Sequence, residues 1–209
     1  MRRTLRCTQR SGNTASSGGG GAYLDNDTAE SNDLGTDANK GTLKIVNTTF
    51  SGNTAGNNGG GAYIDDYWTK VSIAKSRFEG NTSSANGGGL NFYGGKENDI
   101  TASLKVTDSQ FTGNKAGQGG GINLNSEGKV ELVNIVVAQN TSIAKGGGIY
   151  ITNNFKFQMF GGSVTGNIAG GLGGGIYEGT DPKPLLAGVT VKGNSAPTDP
   201  NLSGDFKVI

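Results

Sequence analysis

The chain has 209 residues, a formal net charge of +1, 39 glycines, one cysteine and no histidine. Near-neutrality offers no strong field for nucleic acid or an anionic membrane, and Cys7 alone permits no intrachain disulfide. The lack of histidine removes the commonest general base and the usual serine or cysteine relay, and no apolar stretch is long enough for a transmembrane helix.

Glycine, Asn, Ser and Thr abound, and no apolar residues recur at helical spacing, so one elongated all-β domain over 1–209 is expected. Residues 1–17 read as an irregular N-terminal coil or cap. Leu5 falls in an apolar register, but Arg10 stands where later copies have Phe50, with Arg2, Arg3 and Arg6 nearby. A charge there is tolerable only where the coil is terminal and the side chain escapes to solvent. These arginines lack an apolar run behind them, so no complete secretion signal is expected. Ala22 and Leu24 alternate around Tyr23 as a strand. Residues 26–41 read as an inserted loop whose acids (Asp27, Glu30, Asp33, Asp37) lack EF-hand spacing.

From there one phrase repeats. Ile45 and Phe50 lead to Asn53, a triple glycine at 59–61 and the strand Ala62-Tyr63-Ile64. The order returns with Ile73, Phe78, Asn81 and Leu90/Phe92, then with Val106, Phe111, Asn114 and Ile122/Leu124. It returns again with Leu132, Val137, Asn140 and Ile149/Ile151, with Met159, Val164, Asn167 and Ile176, and with Leu186, Val191 and Asn194. Counting from Asn13, the marker asparagines are spaced by 40, 28, 33, 26, 27 and 27 residues, a unit of about 26 plus insertions. Such self-similarity predicts a parallel β-helix, a solenoid of about seven coils with two or three short strands in each. At a strand spacing of roughly 4.8 Å, six steps between coils span roughly 29 Å.

Each coil needs about three sharp corners, which glycine and asparagine tolerate. Asn13, Asn53, Asn81, Asn114, Asn140, Asn167 and Asn194 read as a structural ladder of inward amides bonded up the stack; the alternative is a polar ligand channel. Sequons begin at Asn26, Asn47, Asn81, Asn140 and Asn201, of which the inward Asn81 and Asn140 should be unavailable. Residues 196–209 read as a C-terminal cap: two prolines suit a place where pairing stops, and 204–209 either folds over the open end or pairs with it.

The pairing of Gly60-Gly61-Ala62 with Phe50-Ser-Gly-Asn53, of Gly88-Gly89-Leu90 with Phe78-Glu-Gly-Asn81, and of Gly120-Gly121-Ile122 with Phe111-Thr-Gly-Asn114 resembles the paired repeat motif of the chlamydial polymorphic membrane proteins and related bacterial surface proteins. The later copies put Val for Phe, as in Val137-Ala-Gln-Asn140. The resemblance implies a right-handed β-helix, in keeping with the usual chirality of parallel crossovers. It also implies a passenger or adhesin-like module, extracellular or at the cell surface. No translocator barrel or anchor is legible in these residues.

Function is then expected on outward strand faces. Tyr23, Tyr63, Asn91, Asn123, Tyr150 and Tyr177 form one outward file, with Asp25 and Asp65 one step further on adjacent coils. Tyrosine interleaved with amides and carboxylates suits sugar rings or a protein partner, although strand preference alone also places tyrosines here. Asp25 and Asp65 read either as solvated turn residues, as a Ca²⁺ pair, or as the acid and nucleophile of a glycosidase. No motif specifies a metal, so no cofactor and no catalytic residue is assigned. The reading is a non-catalytic module presenting a flat polar and aromatic face to glycan or protein, with end-to-end or edge self-association open. The alternatives are a polysaccharide lyase or glycosidase, whose Arg77 lacks an acidic cluster, and an ice-binding or fibre-forming solenoid. The threonine file Thr14, Thr54, Thr82 and Thr141 is interrupted by Lys115, Ile168 and Ser195.

Overall fold

The computed structural model describes residues 2–6, 8–25, 41–65, 68–94, 102–153, 156–179 and 183–209. The sequon at Asn26 and the expected insert lie outside them, except that Gly41 already opens a strand.

All strands pair in parallel, each with its equivalent one turn of the solenoid away, and they line up as four sheets. The first sheet aligns Arg2–Arg6, Gly41–Val46, Trp68–Ala74, Ser103–Thr107, Lys129–Val133, Lys156–Phe160, Leu185–Ala187 and Lys207–Val208. The second runs from Gln9–Ser11 through Thr49–Ser51 to Thr190–Lys192. The third comprises two-residue strands from Thr14–Ala15 to Ile168–Ala169, and the fourth runs from Ala22–Leu24 to Leu202–Ser203. The chain is therefore an all-β parallel β-helix. No helix long and apolar enough to cross a membrane occurs among the described residues.

The third sheet corrects the expected two or three strands per coil. Two residues are too few to show an alternation, and the inward position holds Ala55, Ser83, Ala116 and Ser142, small residues that leave no apolar stripe in the sequence.

Corners and core follow from the repeat. Three positions per coil adopt positive φ: one after the first sheet (Asn47, φ 51°), one after the second (Gly80, φ 62°) and one at the first glycine of each triple (Gly87, φ 66°). The second glycine answers a different need, close approach of backbone. A Cβ on Gly88 would lie 2.4 Å from the Gly120 carbonyl oxygen and 2.5 Å from that of Lys115. Inside, Phe50, Phe78 and Phe111 stack with ring centroids 4.8 and 4.6 Å apart and planes within 13°. Their sides are closed by Ile45, Ile73 and Val106 from the first sheet and Ala62, Leu90 and Ile122 from the fourth, all fully buried. Each of these side chains other than Ala62 contributes about 1.5–3 kcal/mol through its burial.

The asparagine file is buried from Asn53 to Asn194, while Asn13 at the first turn is exposed. Asn167 Oδ1 accepts the Asn140 backbone N–H and the Asn140 Nδ2–H, both at 2.9 Å. Asn167 Nδ2 in turn donates to the Val137 carbonyl and to Asn194 Oδ1, again at 2.9 Å. Every donor and acceptor of the amide is thus used, and the backbone partners fix which way it points. Asn201 closes the file: its Oδ1 accepts from Asn194 N at 3.3 Å and Nδ2 at 3.1 Å.

A second polar ladder was not read from the sequence. Ser76 Oγ accepts the Thr48 N–H at 3.2 Å, and Ser109 Oγ accepts the Ser76 N–H at 3.1 Å. Their hydroxyls donate back to Ala74 and Thr107 carbonyls. Hydroxyl residues beside a corner read as ordinary turn residues, which hid them.

Both ends place a charge in a core file. Arg10 pairs with Phe50 and reaches solvent only in part: it is half-buried, its Nη1 donates to the Gly21 carbonyl at 3.4 Å, and its Nε is buried with no hydrogen-bond partner among the described residues. Glu178 pairs with Ile151 and is buried. Lys207 and Val208 pair with Leu185 and Leu186, so the final segment extends the first sheet.

Candidate functional site

The outward file of the fourth sheet runs Tyr23, Tyr63, Asn91, Asn123, Tyr150, Tyr177, each in register with the next. Parallel pairing of identical coils gives this alignment, because residues alternate across the strand and the inward Ala62/Ile64 type of position fixes the phase.

The file is not a uniform stripe. Tyr23 is 50 % exposed and Tyr63 half-buried, their rings 5.2 Å apart and edge to face at 65°. Tyr150 and Tyr177, both half-buried, are 5.2 Å apart and stacked at 22°. Between the pairs, Asn91 and Asn123 are only 2 % and 4 % exposed, which corrects their expected place on an open face. Their short amides lie between the larger rings of Tyr63 and Tyr150 in the same file, and they bond to each other, Asn123 Nδ2 to Asn91 Oδ1 at 2.6 Å. Asn123 Oδ1 and Gln118 Oε1 are buried with no hydrogen-bond partner among the described residues. The site is therefore two tyrosine pairs separated by a recessed amide step.

At the near end Tyr23 Oη donates to Asp65 Oδ2 at 3.0 Å, across one coil. Asp65 N–H donates to the Leu24 carbonyl, so Asp25 follows directly alongside on the adjacent coil. No three acidic or thiol side chains converge among the described residues. Arg77 lies on the second sheet, between Thr49 and Gln110, with Glu79 at 3.4 Å.

At the far end stands a residue that sequence reasoning missed. Lys145 Nζ lies 4.5 Å over the Tyr177 ring and donates to its hydroxyl at 3.1 Å. That hydroxyl bond holds the Lys145 amine above its ordinary range. Burial pushes the Tyr150 hydroxyl up, and the nearby ammonium partly offsets this. The signal was available: Lys145 immediately precedes a triple glycine, as do Asn58, Asn86, Gln118 and Leu172, which makes it one more file. Asn86 donates its N–H and Nδ2 to Asn58 Oδ1 within it, at 3.2 and 3.1 Å.

Residues 47–65 match the sequence model of the Chlamydia polymorphic membrane protein repeat. The matched span runs from the corner residue Asn47 through Phe50, Asn53 and the triple glycine to Tyr63 and Asp65. Comparison with curated proteins gives no match, and comparison with solved structures gives none.

Proposed function

We propose that this chain is a non-catalytic, adhesin-like module displayed at a cell surface or outside the cell, and that the outer face of its fourth sheet recognises a glycan or protein ligand through its two tyrosine pairs. The matched repeat supports surface display, because the polymorphic membrane protein family is named for that setting. The observation that carries the binding role is the pairing itself. Tyr23 with Tyr63, and Tyr150 with Tyr177, present part-exposed rings, each with a polar partner in Asp65 or Lys145. Rings of this kind stack on sugar faces or anchor protein contacts while their hydroxyls keep polar partners. They stand on a hydrogen-bonded sheet, so little order is lost on binding.

The test is binding to immobilised glycans and glycoproteins by the wild type and by two double variants, Tyr23→Ala/Tyr63→Ala and Tyr150→Ala/Tyr177→Ala. Loss of affinity on the order of tenfold in at least one variant, with unchanged circular dichroism, is expected. Unaltered binding by both would remove this face from consideration.

A further inference from the structure

The charge of the chain is nearly balanced overall but not evenly placed. On the outer face of the first sheet, five consecutive strands each contribute one lysine: Lys44, Lys70, Lys105, Lys129 and Lys156. All five are exposed. Register sets them in a zigzag. Lys70, Lys129 and Lys156 share one row with Thr42 and Ser103, and Lys44 and Lys105 share the neighbouring row with Ser72 and Gln158. With strands roughly 4.8 Å apart, the column extends roughly 19 Å along the solenoid axis.

Among the described residues of this face the only acid is Glu131. Its carboxylate is shared between Lys105 at 2.5 Å and Lys129 at 2.8 Å, whose side chains stay 55 % and 45 % exposed. One carboxylate thus orders two lysines without cancelling the column. Among the described residues flanking these strands, Glu127 precedes Lys129–Val133 and Asp108 follows Ser103–Thr107.

We infer that this column is a binding surface for a linear sulfated polysaccharide lying along the solenoid axis. A row one lysine wide, continuous over five coils and flanked by hydroxyl and amide side chains, matches a single extended chain that carries anionic groups along its length. Single-stranded nucleic acid calls for aromatic rings on which bases stack, whereas on these five strands the two lysine rows hold, besides the lysines, Thr42, Ser72, Ser103, Glu131 and Gln158. An anionic membrane calls for an apolar wedge standing out beside the cations, whereas the apolar residues of the next row, Val46, Ala74, Val133 and Phe160, are half-buried, and serine, threonine and glutamine fill the lysine rows themselves. The column lies on a different sheet from the tyrosine pairs, so it stands or falls independently of them.

The probe is heparin, with hyaluronate, anionic phosphatidylserine vesicles and oligo(dT) run alongside. Lys44→Gln/Lys70→Gln removes two exposed cations of the column, and Lys115→Gln/Lys192→Gln removes two exposed cations from the third and second sheets. The wild type should bind heparin at low ionic strength and release it as salt rises. The column variant should bind on the order of tenfold more weakly, and the control variant should bind like the wild type. Equal losses in both variants, no heparin binding, or stronger capture by vesicles or oligo(dT) would overturn the assignment. Binding to hyaluronate as tight as to heparin would overturn the preference for sulfate.

Discussion

Asn114 Oδ1 accepts two hydrogen bonds from one residue, the backbone N–H and the Nδ2–H of Asn81, both at 2.9 Å. A single buried oxygen therefore satisfies a main-chain group and a side chain of the coil before it. The Asn114 amide nitrogen answers the Phe78 carbonyl at 2.9 Å, so the file stitches together the corner between the second and third sheets.

Asn114→Ala should cost about 3 kcal/mol or more, because the Asn81 N–H and one of the two Asn81 Nδ2 hydrogens lose their buried acceptor and the Phe78 carbonyl loses the amide that donates to it. Asn114→Asp keeps the shape and places an acceptor against the Phe78 carbonyl. Its burial raises the new carboxyl's pKa, so the destabilisation should grow as pH rises above the ordinary aspartate value. Urea unfolding of both variants at two pH values checks this. A pH-independent, sub-kilocalorie change would contradict the ladder.

Two glycines separate conformational need from space. Gly80 has φ 62° with nothing within 4 Å of the place a Cβ would take, so Gly80→Ala should cost only about 1–2 kcal/mol. Gly88→Ala drives a methyl to 2.4 Å from the Gly120 carbonyl and should cost more than 3 kcal/mol, at the upper end of overpacking losses. Thermal unfolding of the pair should show the larger loss in Gly88→Ala.

Glu131 is held below the ordinary glutamate range, first by its hydrogen bond to Lys105 and next by that to Lys129. A depressed native pKa contributes stability above the unfolded value of about 4.3, and the contribution is lost as pH falls through the native value. Glu131→Gln should therefore be less stable than wild type at pH 7 by no more than about 1 kcal/mol, the lysines being half exposed. The difference should vanish under acid conditions, as denaturation midpoints from pH 7 to pH 2 would show.

Lys145 tests whether the far tyrosine pair is ordered by its cation. Lys145→Met removes the bond to Tyr177 and the charge that restrains the Tyr150 shift. Spectrophotometric titration should then show the Tyr150 hydroxyl ionising at still higher pH than in the wild type. A shift downward would mean that the ammonium does not act on that ring.

The parallel solenoid was legible because its two longest side-chain files, Ile45 to Leu186 and Phe50 to Val191, recur at a fixed place in every copy. The Asn file was legible for the same reason. The third sheet and the Thr48–Ser76–Ser109 ladder were hidden, since short polar residues have the same local appearance in a turn as in a buried hydrogen-bonded file. The tyrosine file was placed in the right register, but strand alternation cannot say that Asn91 and Asn123 sink between larger neighbours. Lys145 and the lysine column are relations between copies. They emerge only when residues one coil apart are set side by side.

The most direct test of the central claim is a glycan-array binding assay on the purified chain, with released reducing ends and unsaturated products monitored on every glycan bound. The proposed role as a recognition module predicts retention on specific glycans without turnover. Product release that disappears in Asp25→Asn/Asp65→Asn would contradict it and identify those two carboxylates as the chemistry of an enzyme.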